Sequence, residues 1–172
     1  MSLLSFLSFS QSSNAKDAAF DAEYGMALLQ KNRFDESSAY FQEHLKGNAV
    51  AYYGLALTKF RRDTAHLSLA QAKEIVNLYE QAIALSPEFA DAYFMCGMAY
   101  NAAAGFQLGS YNKDRSLIGP GAFHEPDGFL IKAELYFRKA ITLNPGFFKI
   151  AEGEIALNQR LKDFSSKLKA EQ

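Results

Sequence analysis

The chain has 172 residues, a formal net charge of −1 and a pI near 6.3. That is room for one core or one short repeat stack, and it offers no basic footprint for nucleic acid. Cys96 is the single cysteine, which excludes a disulfide framework or a cysteine-built zinc site within one chain. Ala, Leu, Glu, Lys and Gln are common, and the prolines (Pro87, Pro120, Pro126 and Pro145) stand only where helices or loops would be punctuated. The expectation is an all-α chain.

Residues 1–15 form an apolar, serine-rich segment, and 16–172 read as one helical domain. Leu3, Leu4, Phe6, Leu7 and Phe9 are diluted by serine and fall far short of the roughly 20 apolar residues that a membrane helix needs. The segment lacks the basic flank of a secretory signal, although Ser13-Asn14-Ala15 is faintly like a cleavage site. Three readings stay open: a loose tail or starting helix, a docking segment that fills a groove in this chain or a partner, and a targeting peptide.

From about Lys16 to Gly47 the apolar spacing predicts a first helical pair. Ala18, Phe20, Tyr24, Gly25, Leu28 and Leu29 mark one helix, Asn32 to Asp35 the turn, and Phe34, Tyr40, Phe41 and Leu45 the second helix. Another pair follows, with Val50, Tyr53, Gly54 and Leu57 on its first helix and Ile75, Tyr79, Ala82 and Ile83 on its second. Between them lies an insertion at about 62–70, in which Asp63 or Thr64 would cap a helical turn. The next pair opens with Ala90, Tyr93, Cys96, Gly97 and Tyr100 and closes with Leu130, Ala133, Phe137, Ala140 and Ile141, around a longer insertion at about 105–128. Phe147, Phe148, Ile150, Ile155, Leu157 and Leu161 then predict a final helix that turns polar toward Lys167 and Glu171, as the cap of a repeat stack would.

One phrase occurs twice. Tyr79-Glu80-Gln81-Ala82-Ile83-Ala84-Leu85-Ser86-Pro87 and Phe137-Arg138-Lys139-Ala140-Ile141-Thr142-Leu143-Asn144-Pro145 share an aromatic, then Ala-Ile, then Leu and Pro. Tyr93, Gly97 and Tyr100 supply an aromatic–glycine–aromatic face in the helix that follows the first copy. The chain resembles the tetratricopeptide repeat (TPR), a helix-turn-helix unit of about 34 residues. The first pair departs from the pattern, with His44 at the position of Ala82 and Ala140, and Ala49 at that of Pro87 and Pro145. The resemblance implies a short right-handed α-α solenoid of about three hairpins plus a capping helix, because a lone hairpin cannot bury both faces.

In TPR proteins the first helix of each hairpin lines a concave surface. Carried over by position, the partner-binding groove would include Met26, Leu29, Tyr52, Leu55, Phe94, Met95, Met98 and Asn101. Methionine and aromatic residues suit an adaptable apolar contact with an amphipathic helix. The family's Lys/Arg/Asn clamp for a chaperone tail is missing, since Ala22, Met26, Tyr52, Asp91 and Met95 occupy the corresponding positions. Such a groove could hold a foreign segment, an oligomer contact, or this chain's own Leu3 to Phe9 or long insertion. Within that insertion, Phe106, Leu108, Tyr111, Leu117, Ile118 and Phe123 are candidate contacts, read as a packed loop or partner surface.

No metal site and no cofactor are expected. His124, Glu125 and Asp127 lack a second ligand cluster, and Asp127 reads instead as the cap of a helix starting near Phe129. Cys96 beside Gly97 reads as a buried small residue, and His44, His66 and His124 are too scattered for a catalytic constellation. The expected function is non-catalytic: a protein-interaction scaffold or adaptor, or an accessory assembly subunit of a larger complex. The rival reading is a receptor or chaperone for amphipathic or hydrophobic segments, for the insertions are similar to those of the plant-type mitochondrial import receptor. Bacterial secretion chaperones built from three TPRs are a comparable family. The polar end, Lys167 to Gln172, has no anchor of the kind that receptor carries. Partners would be proteins, with peripheral association to a membrane complex compatible with that role, in a soluble, reducing compartment.

Overall fold

The computed structural model describes residues 20–63 and 67–171. Seven α-helices and two short 3-10 turns carry the architecture, and there is no strand among the described residues. The helices are α1 (Ala22–Gln30), α2 (Phe34–Glu43), α3 (Ala49–Asp63), α4 (Leu69–Leu85), α5 (Ala90–Lys113), α6 (His124–Leu143) and α7 (Phe148–Ala170). The 3-10 turns are Arg115–Leu117, between α5 and α6, and Pro145–Phe147, which leads into α7. The apolar segment at Leu3 to Phe9, with Ala18, Thr64 and His66, lies outside the described residues.

Short polar side chains set the helix ends. Asp21 Oδ1 accepts from the Glu23 and Tyr24 amides at 2.9 and 3.1 Å, and Asn48 Oδ1 accepts from those of Val50 and Ala51 at 3.1 Å each. Both satisfy amides that have no partner within a first helical turn. Asn32 closes α1 at φ 57°, a left-handed conformation that asparagine tolerates better than most side chains. The helical turn expected after Asp63 or Thr64 falls on residues outside the described ones, and α4 has its own cap. Ser68 is its cap, in a reciprocal box with Gln71, while Asp63 ends α3 and pairs with Arg62 at 2.8 Å.

Each helix packs on the next one in the chain, and α1 also touches α3, α3 touches α5, and α5 touches α7. Glycines opposite aromatic rings permit the close approach. A Cβ on Gly25 or Gly54 would stand under 3.0 Å from the Phe41 ring, so that ring is held between two helices that lack a side chain there. Gly97 gives Phe137 the same seat, where an added Cβ would lie 2.7 Å from the ring. Ser37 and Thr58, both fully buried, lie Oγ to Oγ1 at 2.9 Å and reach the Gly25 and Gly54 carbonyls, so both hydroxyls have partners despite the close packing. His44 lies at the end of α2, its Nδ1 2.7 Å from the Tyr40 carbonyl and its ring against Phe20 and Tyr40.

The segment expected as a long insertion at 105–128 is helical over much of its length. α5 continues through Gly105 and Gly109 to Lys113, and α6 begins at His124. The extension pays for itself by building a second apolar cluster, in which Leu108, Tyr111 and Phe123 are buried with Ala104, Leu130 and Leu168. Tyr111 Oη donates to the Ala122 carbonyl at 2.9 Å and folds the connecting loop back onto the helices. Asp127 is therefore not a cap. It lies inside the first turn of α6, accepting from Ser165 Oγ at 2.8 Å and pairing with Lys169 at 2.5 Å.

Candidate partner-binding surface

The apolar positions expected to line an open groove are mostly interior. Met26, Leu29, Leu55, Phe94, Met95 and Asn101 are buried, and only Tyr52 and Met98 are half-buried. The physical reason is that these helices have neighbours on several sides. Phe94 stacks on Phe147 with ring centroids 5.0 Å apart and tilts against Phe137 at 5.7 Å. Asn101 is spent on α7, donating to the Glu154 carbonyl at 3.1 Å and accepting from Asn158 at 2.7 Å. Of the insertion candidates, Leu108, Tyr111 and Phe123 are core, Ile118 is half-buried, and Phe106 and Leu117 remain exposed.

Most of the exposed large apolar side chains lie instead on the last three helices, with Tyr24 on α1, Leu85 on α4 and Leu117 in the loop standing apart. α5 has most of its circumference occupied. Cys96 and Tyr100 face α4, with the Cys96 thiol 3.9 Å from the Val76 carbonyl and Tyr100 Oη donating to Glu80 at 2.5 Å. Tyr93 and Gly97 face α6 at Tyr136 and Phe137. Asn101 and Gly105 face α7 at Glu154 and Leu161. At about 100° per residue the face left over carries Asp91, Met98, Ala102 and Phe106. On α7 the same geometry puts Ile150, Glu154 and Leu157 beside the seam with α5. Phe106, Ile150 and Leu157 are 39, 46 and 38% exposed, so the final helix does not turn all its apolar residues inward. A second exposed pair, Ile131 and Leu135 on α6, stands at 57 and 59%.

Two half-buried carboxylates lie near this corner, Asp91 in the first turn of α5 within electrostatic reach of Tyr53 on α3, and Glu154 on α7. Burial pushes the Asp91 and Glu154 carboxyls above their ordinary values, opposed at Asp91 by a backbone amide and at Glu154 by Asn101. Neither has a lysine or arginine partner among the described residues, whereas Glu134 is held by both Arg138 and Lys162 at 2.6 Å.

Several other polar groups are engaged in structure, whereas the buried Tyr79 hydroxyl has no hydrogen-bond partner among the described residues. Glu80 accepts from Tyr100 and, at 3.2 Å, from Tyr136, with Lys132 3.6 Å away, and burial is the largest cause raising both phenols. The Cys96 thiol is pushed up by burial, which removes it from nucleophilic chemistry at neutral pH. A cleft of about 700 Å³ opens beside the loop at Gly119, Pro120, Gly121, Phe123, His124 and Lys169. The ammonium there is already paired with Asp127 and lies 5.3 Å from the Phe123 ring centroid. Among the described residues no three or more His, Cys, Asp or Glu side chains are grouped to hold a metal, and no helix is long and apolar enough to cross a membrane.

No model of a known protein family matches the chain, and the search of curated proteins finds no match. The exposed corner was hard to find by sequence because α5 carries apolar or small residues around its whole circumference. The available signal was the α7 spacing Ile150, Leu157, Leu161, Phe164, Leu168, of which the last three pack on the second cluster and the first two stay exposed.

Proposed function

We propose that this chain is a non-catalytic protein-interaction module, an adaptor or accessory assembly subunit, built as a short stack of TPR-type hairpins with α7 as the last helix. The repeated Ala-Ile phrase, the glycine–aromatic seats and the contacts of α1 with α3, α3 with α5 and α5 with α7 support the repeat reading. The observation that carries the functional reading is the concentration of exposed apolar side chains on α5, α6 and α7, at Phe106, Ile131, Leu135, Ile150 and Leu157, around a filled core. They fall in two places, Phe106, Ile150 and Leu157 by the α5–α7 seam and Ile131 with Leu135 on α6, and exposed apolar side chains grouped on neighbouring helices are the surfaces that partners cover.

The test is purification of the tagged chain from its native source at native level, with quantitative mass spectrometry. A fixed partner set at near-unit ratio, lost with Leu135→Asp or Leu157→Asp while far-UV helicity is kept, supports an assembly subunit. A chain that purifies alone at every salt concentration rejects the reading. The half-buried Met98 beside Ile150 and Leu157 favours one rival, a receptor for amphipathic segments, whose signature would be a shifting, substoichiometric set of partners.

A further inference from the structure

The corner between α5 and α7 is more specific than an apolar patch. The two helices run parallel, with contacts between residues a nearly constant distance apart in sequence: Phe94 with Phe147, Asn101 with Glu154 and Asn158, Gly105 with Leu161. Helical spacing puts Met98, Ala102 and Phe106 on the α5 side of this seam and Ile150 and Leu157 on the α7 side. Asp91 to Phe106 spans about 22 Å at 1.5 Å per residue, the length of roughly four helical turns.

Charge selects the occupant. Asp91 lies in the first turn of α5, one turn before Phe94 meets Phe147 and within electrostatic reach of Tyr53 on α3, and Glu154 lies level with Asn101, about 15 Å further along at the helical rise. Both carboxylates are half-buried and lack a cationic partner among the described residues, while other carboxylates of this chain at helix junctions (Asp63, Asp127, Glu134) are paired. An incoming acidic helix would set like charges against two poorly solvated groups. A basic one would supply the missing partners and cover the apolar floor at once.

We propose that the α5–α7 corner docks a basic amphipathic helix of a partner protein, with apolar side chains on Met98, Phe106, Ile150 and Leu157 and cations about three turns apart on Asp91 and Glu154. This rests on the interaction-module reading and gives its partner a chemistry.

The experiment is calorimetric titration of the intact protein with a synthetic helical peptide of about 18 residues, five turns. It carries leucines at i, i+3, i+4 and i+7 and flanking lysines, and its counterpart carries glutamate for every lysine. The basic peptide is expected to bind and the acidic one not. Asp91→Asn and Glu154→Gln should each weaken binding about fivefold, with a shallower salt dependence, as loss of a partly exposed charge pair does. Leu157→Asp should abolish binding, with Leu157→Ser as the milder variant if far-UV helicity falls. Equal binding of the acidic peptide, unchanged affinity in both charge-neutral variants, or binding of neither peptide overturns the proposal. In each case the interaction-module reading is judged separately: native partners lost with Leu157→Asp yet kept with Asp91→Asn and Glu154→Gln would preserve it, and a chain without partners would remove both.

Discussion

Asn158 Nδ2 donates to Asn101 Oδ1 at 2.7 Å, between two side chains that are almost fully buried. The same Nδ2 donates to the Leu130 carbonyl at 2.9 Å, and Asn101 Nδ2 donates to that of Glu154. One amide pair thus joins α5, α6 and α7 and fixes the longitudinal register of α7, because a slide of one turn would leave these groups unpaired in the interior. Asn158→Ala removes both donations and strands the buried Asn101 Oδ1, while the Leu130 carbonyl keeps its place in the α6 ladder. The expected cost is about 2–3 kcal/mol, read as a lower urea midpoint with unchanged slope. Adding Asn101→Ala should cost less than the sum of the single losses, since the two residues act as one unit.

Gly97→Ala tests the aromatic seat. In an exposed helix this change stabilises by about 1 kcal/mol. Here the new methyl meets the Phe137 ring at 2.7 Å, so the sign reverses and a loss of about 1–3 kcal/mol is expected. Phe137→Leu in the same chain should recover part of that loss relative to Phe137→Leu alone, a coupling that thermal unfolding of the four proteins would measure. Additive effects would mean that the ring does not set the helix approach.

The two corner carboxylates give a pH dependence of known sign. The folded Asp91 and Glu154 carboxyls titrate above their ordinary 3.8 and 4.5, so over that interval the native state holds more protons and stability falls as pH rises. Asp91→Asn and Glu154→Gln should therefore raise Tm relative to the parent at pH 7, with the gain disappearing near pH 3. Asp63 and Glu134 act oppositely. The side-chain hydrogen bonds from Arg62, and from Lys162 and Arg138, hold them below the ordinary range, and their contribution is lost as pH falls through the lowered values. Asp63→Asn should lower Tm at pH 7 and converge with the parent in acid. Gains at pH 7 with lost peptide binding would mark Asp91 and Glu154 as charges kept at a cost in stability.

The succession of helices and the glycine seats were legible because each depends on local pattern. Asn32 marks a turn, Pro87 and Pro145 follow helix ends, and Gly97 faces Phe137 on helical spacing. What surrounds a helix was not legible. Met26, Leu55 and Phe94 have the composition of a binding groove and of a core alike, and only the positions of neighbouring helices separate the two. Gly105 and Gly109 read as loop residues, yet tertiary burial of Leu108 and Tyr111 outweighs the roughly 1 kcal/mol that each glycine costs a helix. Leu69 to Leu85 shows its period in the sequence, while its cap, Ser68 in a box with Gln71, lies at the end of a stretch that reads as insertion.

The second cluster separates those two kinds of apolar residue in one stretch of chain. Leu108 is fully buried among Ala104, Leu130 and Leu168, whereas Leu117, in the same expected insertion, is 53% exposed. Leu108→Ala should cost about 2–4 kcal/mol through lost transfer energy and the cavity left behind. Leu117→Ala should stay within about 0.5 kcal/mol, as surface substitutions do. Urea unfolding measures both. If the extension of α5 and the return loop fold as one unit with α7, Leu108→Ala will also speed amide exchange in α7 around Phe164 and Leu168, far along the sequence from the substitution. Protection unchanged in α7 would show that the two segments open independently, and that the long helix needs no contact with α7 to persist.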